Sequence, residues 1–145
     1  MRSDFTVALH ILGFLTAKDG EPLSSEILAE TYGTHPVVVR RILLKLSEAG
    51  MVTSQRGAGG GTVLSRDPKE ITLLDVFEAV EEDMQILPRY PEEEDDLSKV
   101  IGAYINGMME NAEADLLARF KNLNLLEMDK ALRPAVHEML RDRWR

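Results

Sequence analysis

Apolar residues near the start of the chain recur at helical spacing. Val7, Ala8, Ile11, Leu12 and Leu15 gather on one side of a helix,. Ser3 is placed to cap it, Asp4 suits the positive end of its dipole, and Gly20 supplies a stop,. The turn Asp19-Gly20-Glu21-Pro22 leads to Ser24 and Ser25, either of which can cap a short helix running to Thr31 before Gly33 breaks it. Thr34 is expected to cap a third helix, with Pro36 in its first turn, where a missing N–H costs nothing,. Val39, Ile42, Leu43 and Leu46 form the buried stripe of that helix. Val37, Arg40, Arg41, Leu44 and Lys45 lie on its other side, and Gly50 ends it.

The pattern then changes. Met51 to Ser54 reads as a strand, Gly57 to Gly61 as a flexible tip, and Thr62 to Ser65 as the returning strand,. A fourth helix follows from Leu73 to Glu81, capped by Thr72, with Val76, Phe77 and Val80 inward. The proline-and-acid stretch LPRYPEEEDD separates it from a long amphipathic helix beginning at Leu97. There Leu97, Val100, Ile101, Tyr104, Ile105, Met108, Ala112, Leu116 and Phe120 hold one apolar stripe,. Beyond Asn122 the pattern predicts one or two short helices with a junction at Pro134,. No internal repeat is visible. The chain is thus expected to be mainly α with one small β-hairpin. It divides into residues 1–82, an acidic and proline-containing linker at 83–96, and a helical region at 97–145.

Composition narrows the classes. The 145 residues include no cysteine, which excludes disulfides, thiolate metal sites and thiol redox sensing,. No apolar run approaches the roughly 18 residues needed to span a bilayer, and the short run near the N-terminus is interrupted by Asp4 and His10. A soluble, cytoplasmic protein without membrane partners is expected. The net charge of −8 argues against a nucleic-acid partner only until its distribution is considered,. Residues 1–66 hold seven Lys/Arg against six Asp/Glu, and residues 67–145 hold ten against nineteen. The acid lies in the C-terminal half, so the N-terminal half can still present a basic face.

Helix, turn, helix and then hairpin is the order of a winged helix-turn-helix. A recognition helix buries one face and projects polar groups from its N-terminal half into the major groove. Thr34, His35, Val37, Arg40 and Arg41 occupy that position, with Ser25 on the supporting helix before them. Arginine can fork to guanine or clasp phosphate, and Val37 can touch a thymine methyl. Alone, the Arg40-Arg41 pair reads first as an ordinary solvated pair. The hairpin TSQRGAGGGTVLSR changes that balance. Its glycines remove side chains where a loop approaches another backbone or takes positive φ,. Arg56, just before them, is placed to reach a minor groove, with Ser54, Gly57 and Gly60 around it. GAGGG matches no nucleotide-binding loop pattern, and a flexible turn is its plain alternative.

The stretch SQRGAGGGTVLSRDPKEITLLDVFEAVE, with the LSSEILAE segment and the preceding helix, resembles the Rrf family of bacterial winged-helix regulators. The resemblance covers residues 1–82 and continues in pattern through the long helix. It implies a homodimer joined by that helix through Leu97, Val100, Ile101, Tyr104, Ile105, Met108, Ala112 and Leu116. It further implies double-stranded DNA bound at a palindromic operator, usually in repression. The family's wing arginine falls on Arg56, and its base-reading positions fall on His35, Val37, Arg40 and Arg41. Cluster-binding members carry three cysteines in the loop before the long helix. Here that loop, Asp83 to Asp96, has none, so no iron–sulphur cofactor is expected,. Thr62 stands where the family often has an aromatic residue, which is expected to loosen the base of the wing.

The remaining candidates are weaker. His10 and His137 read as structural or solvated, and Glu92 to Asp96 as a solvated loop before a helix N-terminus rather than a cation site,. Tyr104, Met108 and Met109 can line a ligand pocket, but the stripe reads first as an interface. No nucleophile–base pair or metal-ligand spacing points to an enzyme, and the effector is undefined. The reading is a dimeric DNA-binding regulator. Its alternative is a winged-helix protein-interaction module whose acidic half docks a basic partner.

Overall fold

The computed structural model describes residues 4–143, with the side chains of 136, 137 and 139–143 outside that description. Among the described residues the order is α1 (Asp4–Ala17), α2 (Ser25–Tyr32), α3 (Pro36–Glu48), β1 (Val52–Gln55), β2 (Gly61–Leu64), α4 (Leu73–Val80), α5 (Asp96–Lys121) and α6 (Leu125–Arg143), with a 3-10 turn at Pro68–Glu70. The predicted cap Ser3 and the side chain of His137 lie outside the described residues. No helix among the described residues is long and apolar enough to cross a membrane.

Local chemistry sets the helix boundaries. The Ser24 hydroxyl accepts the Ile27 N–H at 3.2 Å and starts α2, and Gly33 at φ 87° ends it by donating its N–H to the Ala29 carbonyl,. Helix α3 departs from expectation at its start. His35, not Thr34, is the N-cap, and it makes no side-chain capping bond. Pro36 at the first helical position removes one donor that would otherwise need a cap. At α4 the Thr72 hydroxyl accepts the Asp75 N–H while the Asp75 carboxylate accepts the Thr72 N–H, both at 3.0 Å,.

The core lies where α1, α2, α3 and α4 meet. Ile11, Leu12, Leu28, Val39, Ile42, Leu46, Ile71 and Val76 are fully enclosed there. Leu125, at the start of α6, belongs to the same core. The chain returns to it through two backbone bonds, Leu73 N–H to Leu123 O at 2.9 Å and Leu125 N–H to Ile71 O at 3.0 Å. Enclosing such a leucine contributes about 1.5–3 kcal/mol. The C-terminal segment is therefore packed into the N-terminal domain, although residues 97–145 read as one separate region in the sequence. A second difference is that α6 runs unbroken through Pro134. Lys130 and Pro134 are both exposed, so the carbonyl that loses its donor can face water,.

Helix α5 is anchored at its far end. Phe120 packs on Phe5 and Phe77, with ring centroids 5.4 and 6.3 Å away, and Phe5 meets Phe77 edge-on at 5.3 Å. That aromatic triad joins α1, α4 and α5, and the rest of α5 extends past the core.

Candidate nucleic-acid interface

Helix α3 has one buried face, Val39, Ile42 and Leu46, and one open face. His35, Val37 and Arg40 are exposed on or beside the open face, together with Leu44. Arg40 approaches Glu26 at 3.5 Å, but both side chains are more than half exposed, so water and salt weaken the attraction,. Thr34 and Ser25 are half-buried, and the Ser25 hydroxyl donates to the Glu26 carboxylate at 3.3 Å.

Arg41 is half-buried and engaged within the chain. Its guanidinium grips the buried Asp4 carboxylate with two hydrogen bonds, at 2.7 and 3.0 Å. The bond to Asp4 raises the Arg41 guanidinium above its ordinary value, against the opposing effect of burial. Lys45, one turn on, also turns inward. It donates to the Val80 carbonyl at 3.1 Å and lies 3.9 Å from Asp4. The sequence pattern sets both residues on the polar side of α3, but the N-terminus of α1 and the C-terminus of α4 supply acceptors there that lie far away in the chain.

The hairpin pairs Val52 with Leu64, Thr53 with Val63, Ser54 with Thr62 and Gln55 with Gly61. Ser54, Gln55, Arg56, Gly57, Ala58 and Gly59 are exposed, and the Arg56 side chain makes no hydrogen bond or ion pair with the described residues. The tip is a tight turn. Gly57 and Gly59 take φ of 101° and 75°, and the Gly60 N–H donates to the Gly57 carbonyl at 3.0 Å,. A side chain at Gly60 would strike the Gln55 carbonyl, and a Cβ at Gly61 would lie 2.6 Å from the Leu23 carbonyl oxygen. That closeness comes from an added rung. Leu23 N–H donates to Thr62 O at 3.1 Å, and Thr62 N–H donates to Leu23 O at 2.8 Å. Thr62 is buried, and its backbone holds the wing's base to the segment before α2.

The segment between α4 and α5 is strapped to α5. The Ile86 N–H donates to the buried Glu113 carboxylate at 2.9 Å, and Arg89 ion-pairs with the same carboxylate. The Ile86 N–H first, and then Arg89, hold the Glu113 carboxyl below the usual carboxylate range despite its burial. Tyr90 donates its N–H to Asn106 Oδ1 at 2.7 Å and lays its ring over Gly102. Sequence reading missed these four side chains, and the one clue was a glycine inside an otherwise regular helix. A cleft of about 280 Å³ opens beside the strap, walled by Tyr90, Pro91, Lys99 and Asn106 rather than by Tyr104, Met108 or Met109. On another side of α5, Leu97, Val100, Ile101, Tyr104 and Met108 are exposed, three of them by more than two-thirds. Ala112 is exposed as well, while Ile105 and Leu116 are half-buried.

A helix-turn-helix with a glycine-tipped hairpin wing defines the class of winged-helix regulators. The chain belongs to the Rrf2 family: residues 1–130 match the model described as an iron-dependent transcriptional regulator. It is 40% identical over 86 residues, 59% of its length, to a putative HTH-type transcriptional regulator, YwnA of Bacillus subtilis, and spans 62% of that relative. In structure it is similar to a putative DNA-binding protein, at 31% identity and TM-score 0.67, over 87% of this chain and 98% of the other. It also shares its fold with CymR, the global cysteine regulator of B. subtilis, at 23% identity and TM-score 0.70, over 90% and 96% of the two chains.

The residues present do not fit the iron the family's description implies. The chain has no cysteine, and no group of three or more His, Asp or Glu side chains among the described residues is placed to hold a metal ion. Glu113, the buried carboxylate facing the 81–95 segment, is already engaged by Arg89 and the Ile86 N–H.

Proposed function

We propose that the chain is a cytoplasmic, cluster-free repressor that binds a palindromic operator as a homodimer. The single observation that carries this reading is the presence of two solvent-exposed surfaces in one chain. His35, Val37, Arg40 and Arg56 face solvent from α3 and the wing, and the apolar stripe of α5 is uncovered. The first set suits a duplex. Arg40 and His35 would meet the major groove, while Arg56, at the rim of a turn with little side-chain bulk, would meet the minor groove beside it. The second set suits a copy of itself, because an exposed apolar stripe of this kind is costly in water and a two-fold axis makes it self-complementary. Two recognition helices related by that axis would read two half-sites, which is the reason for a palindrome. The family resemblance supports repression.

The test is Arg56→Ala. Operator affinity should fall by about tenfold or more, with the sedimentation behaviour of the dimer unchanged. Unchanged affinity would remove the wing from the interface. A monomeric wild-type chain would remove the α5 stripe from the reading.

A further inference from the structure

Three charged side chains join α3 to the body of the domain. Arg41 and Lys45 lie one turn apart on the same side of the helix, and both converge on Asp4 in the first turn of α1. Val39, Ile42 and Leu46 bury the apolar face of α3, and hydrophobic burial itself is non-directional,. A two-pronged guanidinium–carboxylate contact is directional and fixes both distance and plane. Asp4 is only 8% exposed while the Arg41 side chain is 40% exposed, so this pair is less screened than Arg40 with Glu26. Lys45 adds a second anchor. Its ammonium meets the last carbonyl of α4, where a cation also complements the helix dipole,.

We propose that Asp4, Arg41 and Lys45 form a positioning clamp for the recognition helix, with Asp4 a determinant of sequence-specific DNA binding that does not itself reach the duplex. The inference rests on the DNA-binding reading above. It assigns Arg41 to the orientation of α3 rather than to base contact. Base-edge hydrogen bonds require close geometry, whereas phosphate contacts tolerate small displacements. Releasing the clamp should therefore lower specific affinity and leave non-specific affinity nearly untouched. The rival is an autoinhibitory contact, in which Asp4 withholds Arg41 from DNA, and it predicts the opposite sign for removal of the Asp4 charge.

Duplexes are selected from random-sequence DNA with the wild-type chain. Affinity for a selected duplex and for a scrambled one is then measured against salt for wild type, Asp4→Asn, Arg41→Gln and the double variant. The temperature is one at which circular dichroism shows each protein folded. Each single variant should lose about tenfold in specific affinity while the scrambled duplex stays within about twofold and the salt slope is unchanged. The double variant should be no weaker than the weaker single one. A merely structural role would lower the active fraction, not the ratio of specific to non-specific binding. Tighter binding by Asp4→Asn, a slope shallower by about 0.9 in Arg41→Gln, or retained specificity in both overturns the clamp. If Asp4→Asn does not fold, Lys45→Met carries the same test: specificity should fall at constant slope, and an unchanged ratio overturns the proposal. Failure of the wild-type chain to enrich any duplex overturns the DNA reading and the clamp with it. Enrichment followed by any contrary variant result overturns the clamp alone.

Discussion

The wing and the 81–95 segment are both polar excursions from the core, yet their side chains end in different places. Around the wing, the backbone is tied down at Leu23, Thr62 and Gly60 while Arg56 makes no side-chain bond with the described residues. In the 81–95 segment, Arg89, the Ile86 N–H and the Tyr90 N–H are taken up by Glu113 and Asn106 of α5. The first arrangement holds a rigid frame around an available cation. The second closes its polar groups on each other. Charge in a sequence therefore marks an interface poorly, and the partner each charge finds after folding marks it better. Arg40 and Arg41 make the point at adjacent positions: one meets only the exposed Glu26 at 3.5 Å, and the other is bound to the buried Asp4.

Methyl groups added to each region test the contrast. The largest effect is expected for Gly61→Ala, because its Cβ would lie 2.6 Å from the Leu23 carbonyl oxygen, an atom of backbone that cannot swing aside. Overpacking of this kind costs about 1–3 kcal/mol, and DNA affinity should fall with thermal stability. Next comes Gly102→Ala, whose Cβ would lie 2.5 Å from Tyr90 Cδ1. The ring should be displaced and protease cleavage between residues 86 and 95 should speed up, while DNA affinity stays within about twofold. Equal loss of DNA binding in both variants would show that the two regions are not independent.

Acid sharpens the contrast further. The Glu113 carboxyl is held down in the folded state, so its contribution is complete above its ordinary value of 4.5 and is lost as pH falls through the lower folded value,. Wild type should lose stability more steeply than Glu113→Gln below about pH 4.5 in thermal melts; parallel curves would remove the latch. The smallest effect belongs to His10, which meets Thr31 Oγ1 at 2.9 Å and packs on Phe14 and Tyr32. Burial lowers its imidazole from 6.5, so the neutral form is favoured in the fold. That contribution is present above about pH 6.5 and fades as pH falls through the folded value. Wild type should show a downward shift of about 1–2 °C in thermal midpoint, absent in His10→Gln.

Much of this architecture was legible because it is local. Ser24, Gly33, Thr72 and the helical spacing in α1 and α4 act within one turn of themselves, and each stands where the pattern put it. The apolar stripe of α5 was also legible, and Leu97, Val100, Ile101, Tyr104 and Met108 of it are exposed. What escaped was tertiary. The Asp4–Arg41 pair spans 37 residues, and no spacing rule connects its ends. The latch on Glu113 spans 27. Leu125 reads as one more position on an amphipathic tail until the return of the chain to Ile71 places it in the core. Pro134 reads as a break, and the exposure of its surroundings is what lets α6 continue.

The two bonds between Leu23 and Thr62 make the hairpin, in effect, a three-stranded edge shared with the segment that launches α2. The orientation of the wing is thereby settled during folding, together with that of the supporting helix. Conformational freedom surrendered at that stage is not surrendered again on docking. A two-residue bridge at the base of the wing would in this way raise affinity by removing an ordering cost, and would favour duplexes whose grooves match a fork of fixed span.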